Sequence, residues 1–398
     1  MTTPLTIGIA GAGLLGRLLA WQLGRAGHRV DVFDPASGPA PTYDGHGAAG
    51  FSAAGMLSPL AELDHADAAI AALGWRSLAL WPRIAAQLGA PALFSQRGSL
   101  LLAHRPDRGA AERVLGRLAR APAGWPQPQA LDTRALASLE PSLHGIAHAW
   151  LLPREGQIDP PATLALLHAR AGETVHWHWG RPVLEAVPGR LALADGTQPR
   201  FDWVLDVRGL GGRGADAPQA AAADRHGRST QAAGAAVPGA APVLPLPMPL
   251  PLRGVRGETA WLHAPAHGLT RPLRLLHPRH AVYLVPRGPD RVFVGASEIE
   301  SEDRSPVSLR SAVELMAAAH SVLPALAEAR VERLDRNLRP ALPDNLPRTE
   351  VQPGLLRING LFRHGWLMAP ALVADALAAA GLATLPLPPF HDEEPSHA

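Results

Sequence analysis

The stretch that decides the fold is residues 5–34, LTIGIAGAGLLGRLLAWQLGRAGHRVDVFD. It opens on a short apolar run, and the glycine turn GAGLLG follows at residues 11–16. Leucines recur after the turn at helical spacing, and Gly27 stands where a helix would end. Residues 29–33, RVDVF, are predicted to form a second strand, which ends at Asp34. The pattern predicts strand, turn, helix and strand, with an acid at the end of the second strand.

Each glycine of this turn has a physical task. Gly11 permits the tight turn, Gly13 lets a pyrophosphate approach the backbone, and Gly16 lets helix and strand pack closely. The helix N-terminus then offers unpaired N–H groups and a positive dipole end to the phosphates. Asp34 stands near the spacing expected for an acid that accepts hydrogen bonds from a ribose. The unit predicts dinucleotide binding; Asp34 disfavours the 2′-phosphate of NADP and leaves NAD and FAD open.

The composition excludes several kinds of chemistry. The chain of 398 residues has no cysteine, so it has no disulfide, thiol nucleophile or cysteinyl cofactor link. All 37 basic residues are arginine, which excludes lysine Schiff-base and general-base chemistry. The net charge is only +2 and the arginines are dispersed, so no nucleic-acid partner is predicted.

Membrane, metal and location are predicted from the same composition. No apolar run is long enough to span a bilayer, and the N-terminal stretch is interpreted as the first strand rather than a signal peptide. A cytoplasmic location follows by default. His176 and His178 lie on one face of a predicted strand, but two ligands without a third do not predict a metal site.

The remainder of the chain does not alternate regularly between strands and helices. A hairpin is predicted from residues 280–286 and 291–295, and helices are expected to start at Ser305 and at Pro370. This favours an α/β nucleotide-binding domain interleaved with a mostly antiparallel domain. Residues 214–251 are rich in Ala, Pro and Gly and predict a disordered insertion.

Seven motifs in one order carry a family resemblance: GAGLLG with VFD, AAGMLSP, DVRGLG, RGVRGE, YLVPRGPDRVFVGAS, NLRPALPDNLP and INGLFRHGWLMAPAL. Together they resemble the superfamily of FAD-dependent amine and D-amino-acid oxidases, and most closely the glycine oxidase branch used in thiamine biosynthesis. The resemblance covers most of the chain except the insertion and the tail.

The resemblance implies an α+β fold of two domains, with FAD bound non-covalently. A Rossmann-type FAD domain is expected from residues 1–88, 152–213 and 337–386, and a smaller substrate domain with a mixed or antiparallel sheet from residues 89–151 and 252–336, followed by a flexible tail at 387–398. The residues expected to contact FAD are Gly11, Gly13, Leu14, Leu15, Gly16, Asp34, Ala54, Gly55, Met56, Gly209, Gly211, His364, Gly365, Trp366, Leu367 and Met368.

For the substrate, Arg339 is expected to bind a carboxylate, because a guanidinium does so bidentately and is always charged. The resemblance also places Tyr283 and Arg363 near that carboxylate. The alternatives are a half-buried strand tyrosine and a loop arginine paired with an acid. The implied reaction transfers a hydride from Cα of glycine, sarcosine or a similar amino acid to flavin N5. An imine, then a 2-oxo acid and ammonia, would result, and O2 would yield hydrogen peroxide.

Three other functions stay open at this point: a D-amino-acid dehydrogenase, an oxidase module acting on carboxymethylaminomethyl groups of tRNA, and a flavin-binding protein without turnover. A homo-oligomer also stays open. Glu298 stands where an apolar residue would suit a glycine oxidase, so it could hold a substrate ammonium or point to solvent.

Overall fold

The computed structural model describes residues 3–213, 249–276 and 281–382 of the chain. The predicted insertion at 214–251 lies outside the described residues as far as residue 248, and the predicted tail at 387–398 lies outside them entirely. Within the described ranges, no helix combines the length and apolar character needed to cross a bilayer.

The described residues form nineteen strands: β1 (Thr6–Ala10), β2 (Arg29–Asp34), β3 (Met56–Leu57), β4 (Phe94–Ser95), β5 (Ser99–Ala103), β6 (Gln129–Leu131), β7 (His148–Leu152), β8 (Gly156–Ile158), β9 (Val175–Trp179), β10 (Val183–Val187), β11 (Arg190–Leu193), β12 (Trp203–Asp206), β13 (Arg253–His263), β14 (Leu273–Leu276), β15 (Ala281–Arg287), β16 (Arg291–Gly295), β17 (Arg330–Ala341), β18 (Arg348–Gln352) and β19 (Leu355–Asn359). The same residues form eight α-helices: α1 (Leu14–Arg25), α2 (Pro59–Glu62), α3 (Ala68–Gln87), α4 (Arg108–Leu118), α5 (Thr133–Leu139), α6 (Pro160–Ala169), α7 (Leu309–Val322) and α8 (Gly365–Ala379).

The opening unit builds the centre of a six-stranded sheet with the order β18-β19-β12-β1-β2-β9. Its strands pair in parallel except for β18, which runs antiparallel to β19 at one edge. Alternate residues of β1 serve two layers. Ile7 and Ile9 pack with residues of α1, α3 and α8, whereas Ala10 packs with the hairpin of β10 and β11. This is the Rossmann-type arrangement predicted from residues 5–34.

A second sheet has eight strands in the order β17-β13-β16-β15-β14-β5-β7-β6. Its pairings are antiparallel except between β14 and β5, so the sheet is mixed, as expected. Helix α7 covers one face through Leu315, Ala319 and Val322, which are buried in the core of this sheet. The strands come from residues 99–152 and 253–341, so the chain passes between the two sheets several times. The exact domain bounds stay a prediction.

Two predicted helix starts are wrong. Helix α7 begins at Leu309, because the Ser308 side chain accepts a hydrogen bond from Ser311 N–H and caps the helix there. Helix α8 begins at Gly365, and Pro370 lies inside it rather than at its start.

The interior proline of α8 is tolerated because a distant side chain replaces the hydrogen bond that it removes. Pro370 has no N–H to donate to the carbonyl of Trp366, four residues earlier. Trp81 in α3 donates its indole N–H to that carbonyl at 3.0 Å, and the two indole rings stack with centroids 5.4 Å apart. The hydrogen bond and the ring stacking therefore hold the first turn of α8, residues 365–368, against α3.

Candidate active site

A cavity of about 760 Å³ lies where the two sheets meet. Its wall includes Leu14 of α1, residues 52–56, the N-terminal turn of α8, and strand residues of β13, β15 and β17. The cavity therefore runs from the predicted cofactor residues to the predicted substrate residues.

The glycine turn is packed as tightly as its sequence predicts. A Cβ on Gly16 would lie 1.8 Å from the carbonyl oxygen of Gly11, so only glycine fits. Helix α1 has Gly13 as its N-cap and no side chain that caps it, so its first N–H groups are available to a ligand. Asp34 accepts hydrogen bonds from the backbone N–H groups of Ala12 at 2.6 Å and Ala36 at 2.8 Å. The acid thus holds the turn, and its remaining lone pairs stay available for a ribose.

Arg17 supports the turn from inside α1, and the sequence analysis missed it. Its guanidinium is buried and donates to the carbonyls of Ala12 at 2.8 Å, Leu164 at 2.8 Å and Pro39 at 2.7 Å. Burial lowers the pKa of Arg17 to about 10, so it remains charged at neutral pH. The signal that could have found it is one arginine among leucines on the apolar side of α1.

Ala54, Gly55 and Met56 line the cavity, and Met56 begins β3, which is an edge strand of a small three-stranded sheet. Gly55 adopts a φ of 65°, and its carbonyl accepts a hydrogen bond from Ile158 N–H at 2.8 Å. Arg287 donates to the carbonyls of Ala54 and, at 3.1 Å, of Ile158. Burial lowers the pKa of Arg287 to about 10. Arg287 therefore fixes this edge, a role that the sequence analysis did not predict.

The N-terminus of α8 is the other part of the wall with free backbone donors. His364 is its N-cap and makes no side-chain capping bond, so the N–H groups of the first turn are open to a ligand. His364, Gly365, Trp366 and Leu367 line the cavity. Met368 is fully buried in the core.

The remaining predicted cofactor residues are not part of the cavity wall: Gly11, Gly13, Leu15, Gly16, Asp34, Gly209 and Gly211. Gly209 nevertheless lies at the carboxyl end of β12, beside the glycine turn, with its carbonyl held by Asn359 Nδ2 at 2.9 Å. The open helix termini and the Gly16 contact are features that a dinucleotide with a flavin head requires, so the residues present fit FAD.

Arg339 occupies the substrate end of the cavity. It lies in β17 opposite Val255, and a Cβ on Gly257 would fall 2.4 Å from its Nη2, so Gly257 makes the room for the guanidinium. Nη2 donates to the carbonyl of Ser297 at 3.1 Å. The buried Nη1 has no hydrogen-bond partner among the described residues. Burial lowers the pKa of Arg339, and the nearby Tyr283 opposes this, but an arginine remains charged.

Tyr283 lies beside Arg339, as expected. It belongs to β15, and Gly295 in the next strand leaves space for its ring, since a Cβ there would lie 2.8 Å from the hydroxyl. Burial raises the pKa of Tyr283, and the charge of Arg339 partly opposes the rise. The phenol is therefore neutral and can donate a hydrogen bond into the cavity.

Arg363 lines the same cavity but is already paired with acids. Its Nη2 lies 3.2 Å from Oε2 of Glu62, and its Nη1 lies 3.4 Å from Oε2 of Glu298. Glu298 thus faces both the cavity and Arg363, although its side chain is 48% exposed. Arg363 thus lines the same cavity as Arg339 and makes the contact given above as the alternative, an arginine paired with an acid.

Glu62 is a functional candidate that the sequence analysis missed. Its carboxylate lies 3.2 Å from Nδ1 of His364 and 3.5 Å from Nη2 of Arg274, besides the contact with Arg363. Burial alone would raise the pKa of Glu62, but His364 and the two arginines hold that pKa well below its usual range. An acid shortly after the AAGMLSP motif was the available signal.

Among the described residues no group of three or more His, Asp or Glu side chains could hold a metal ion. His178, one of the paired histidines, instead lies 2.7 Å from Oδ1 of Asp31 and stacks on Phe33 with ring centroids 4.5 Å apart.

Comparison with known proteins agrees with this geometry. A profile of the family described as DAO, FAD dependent oxidoreductase, matches residues 6–380. The chain is 36% identical over 368 residues to a Rhizobium etli protein named thiamine biosynthesis oxidoreductase ThiO, and the match covers 92% of this chain and 94% of that one. It is 29% identical over 402 residues to the bifunctional tRNA 5-methylaminomethyl-2-thiouridine biosynthesis protein MnmC of an Azoarcus species, covering 94% of this chain and 56% of that protein.

Glycine oxidase from Geobacillus kaustophilus has the same fold, with a TM-score of 0.71 at 23% identity over 96% of this chain and 99% of that chain. The α/β fold class and the use of FAD that the sequence predicts are thereby confirmed. The family profile and the Rhizobium relative both extend over nearly the whole length. The chain therefore belongs to the DAO family of FAD-dependent oxidoreductases.

Proposed function

We propose that the protein oxidises a small amino acid, such as glycine or sarcosine, to an imine that hydrolyses to a 2-oxo acid and the amine, which is ammonia from glycine and methylamine from sarcosine. One observation carries the proposal: the buried Nη1 of Arg339 has no partner among the described residues and lines the cavity. A buried charged donor without an acceptor is costly, and a substrate carboxylate would satisfy it.

The surroundings of Arg339 suit a carboxylate. The carbonyl oxygen of Ser297 already accepts a hydrogen bond from Nη2, so Nη1 is the nitrogen of the guanidinium that stays open to a carboxylate. Tyr283 is neutral and can donate to the same carboxylate, which would hold the amino acid by two kinds of donor. The fixed carboxylate would orient Cα and the amine, and orientation is what the protein supplies in such a reaction.

FAD would be held by the backbone at several points. The open N-terminus of α1 would take the pyrophosphate, with Asp34 near the ribose, and residues 54–56 and 364–367 would line the flavin. The lack of cysteine supports a non-covalent cofactor. The chemistry that FAD supplies when bound is that of a two-electron acceptor, which takes a hydride from substrate Cα at N5 and passes the electrons to O2.

The names of relatives support the same class of substrate. One is named for thiamine biosynthesis, and glycine oxidase shares the fold, so the proposed role extends to the supply of an imine from glycine for thiamine synthesis. The absence of a nucleic-acid partner remains a prediction from the composition. The cytoplasmic location remains a prediction as well.

The test is anaerobic flavin reduction by glycine and sarcosine in wild type and in Arg339→Ala. The variant should keep FAD but bind the amino acid at least about tenfold more weakly, because a charge-assisted hydrogen bond contributes about 1.5–3 kcal/mol. Arg339→Lys should recover only part of the affinity, since an ammonium lacks the planar fork. Reduction by a carboxylate-free amine should not change. Wild-type affinity in Arg339→Ala would refute the assignment.

A further inference from the structure

The cavity wall carries an unusual number of charges near the substrate end. Three arginines line it, Arg274, Arg339 and Arg363, and the carboxylates that contact them are those of Glu62 and Glu298. Asp64, Asp67 and Asp344 also line the cavity, but no ion pair or hydrogen bond among the described residues joins them to these three arginines. In this group, two carboxylates against three guanidinium groups leave one guanidinium in excess. The distribution of the contacts decides which arginine carries that excess.

Glu62 takes two of the three arginines. Its Oε2 lies 3.2 Å from Arg363 and its Oε1 lies 3.5 Å from Arg274, and Glu298 adds a second contact to Arg363. Arg339 has no ion pair among the contacts of the described residues, and its Nη1 has no hydrogen-bond partner there. The wall thus offers one guanidinium without an ion pair and two that are ion-paired.

Glu62 is held in place by the chain itself. It is the last residue of the short helix α2, and the preceding N–H, that of Ala61, donates to Oε1 of Glu155 at 2.9 Å. Glu155 is fully buried and also accepts from the Ser99 hydroxyl. The backbone next to Glu62 is therefore fixed by a buried contact that does not involve the arginines.

Arg274 and Arg363 nevertheless keep unused donors. The Nε of each is buried and has no hydrogen-bond partner among the described residues. If Glu62 lost its charge, both guanidinium groups would have more unpaired N–H donors. The net positive charge that faces the cavity would also increase. A ligand with a second carboxylate would then find a partner that the wild-type wall does not offer.

Resting on the proposed role of Arg339, we infer that Glu62 is the residue that restricts the cavity to monocarboxylates. Glu62 forms ion pairs with Arg274 and Arg363 and leaves Arg339 to bind the carboxylate of a substrate that has only one. A second carboxylate would meet only paired arginines and the negative charge of Glu298. A dicarboxylate is then disfavoured because its second carboxylate finds no partner in the cavity.

The experiment measures ligand binding without turnover. Acetate and malonate are titrated into the full, FAD-saturated chain, and the flavin absorbance change gives a Kd for each. Wild type should prefer acetate. Glu62→Gln should shift the ratio of malonate Kd to acetate Kd by at least about tenfold in favour of malonate. Glu332→Gln is the matched control, because it makes the same change at a glutamate that pairs with Arg291 and does not line the cavity, so its ratio should equal that of wild type.

Further variants separate specificity from a purely structural role. Adding Arg363→Met to Glu62→Gln should remove most of the malonate gain, whereas full retention of the gain would contradict the inference. If Glu62→Gln is insoluble, Glu298→Gln removes the other carboxylate of Arg363 at a more exposed position and should shift the ratio in the same direction by about threefold or more.

The outcomes distinguish this inference from the proposed function. An unchanged ratio in the soluble variants, with acetate binding that Arg339→Ala weakens, overturns the role of Glu62 alone. Acetate binding that Arg339→Ala does not weaken refutes the carboxylate site, and the role of Glu62 fails with it.

Discussion

Gly257→Ala tests whether the position of the Arg339 guanidinium, and not merely its charge, binds the substrate. Gly257 lies in β13, and an added Cβ would fall 2.4 Å from Nη2 and 2.5 Å from Cζ of Arg339. Both atoms belong to the far end of a flexible side chain, so the strand can stay in place while the guanidinium moves. The substitution therefore displaces the predicted carboxylate site and retains its charge.

The size of the displacement follows from the contact distances. Ordinary van der Waals contact begins near 3.4 Å, so Nη2 must retreat by about 1 Å. N–H···O hydrogen bonds extend over about 2.7–3.2 Å, and a 1 Å shift exceeds that range. Losing one charge-assisted bond of a bidentate pair costs about 1.5–3 kcal/mol, which is about ten- to hundredfold in Kd.

The assay is the Kd for glycine and acetate from flavin absorbance in anaerobic titrations, together with FAD content and the urea unfolding midpoint. FAD content should equal that of wild type. Gly254→Ala is the control, because Gly254 lies in the same strand and its Cβ would meet Leu338 and Glu302 instead of Arg339. If Gly257→Ala binds glycine as tightly as wild type, or if Gly254→Ala weakens binding equally, the carboxylate site has been placed wrongly.

Two further predictions concern cofactor and stability. Gly16→Ala puts a Cβ 1.8 Å from the backbone oxygen of Gly11, so we expect loss of FAD and destabilisation of about 3 kcal/mol or more, measured by flavin absorbance and urea unfolding. The control is Gly116→Ala, which should retain FAD because nothing lies within 4 Å of the added Cβ on that helix. Equal behaviour of the two variants would contradict the argument. The pKa of Glu62 is held below its usual range in the folded state, so its stabilising contribution is complete above the ordinary carboxyl pKa of about 4.3 and is lost as pH falls further. The difference in unfolding free energy between wild type and Glu62→Gln should therefore shrink between pH 7 and about pH 3, and a difference that grows on acidification would show the sign to be wrong.

The opening unit could be predicted from sequence because its contacts are local. The expected strands appear as β1 and β2 with bounds within one residue of the predicted stretches, and the expected helix appears between them as α1, which already begins at Leu14 within the glycine turn and ends two residues before Gly27. The turn, the helix and the strand are each determined by residues close together in the chain, and the glycines allow the close packing of the helix against the turn. The prediction of Arg339 at the cavity rested on family resemblance, and the structure adds the unpartnered Nη1 and the space left by Gly257.

The start of α8 could not be predicted from its own residues. A proline normally marks a helix start, and Pro370 was interpreted in that way. The carbonyl that it leaves free finds its donor in Trp81, 285 residues earlier than Trp366. A local rule fails here because the compensating hydrogen bond comes from another part of the fold.

The sequence by itself determined the nucleotide-binding unit, the family and the residue types at the substrate end. Only the tertiary structure decided how the charges there are shared. Glu62, Arg274 and Arg363 are far apart in the chain, and each alone resembles an ordinary surface charge. Folding brings Arg363 within 3.2 Å and Arg274 within 3.5 Å of the Glu62 carboxylate, and leaves Nη1 of Arg339 without a partner among the described residues. Charge pairing depends on distance in space, and the order of residues along the chain does not fix that distance.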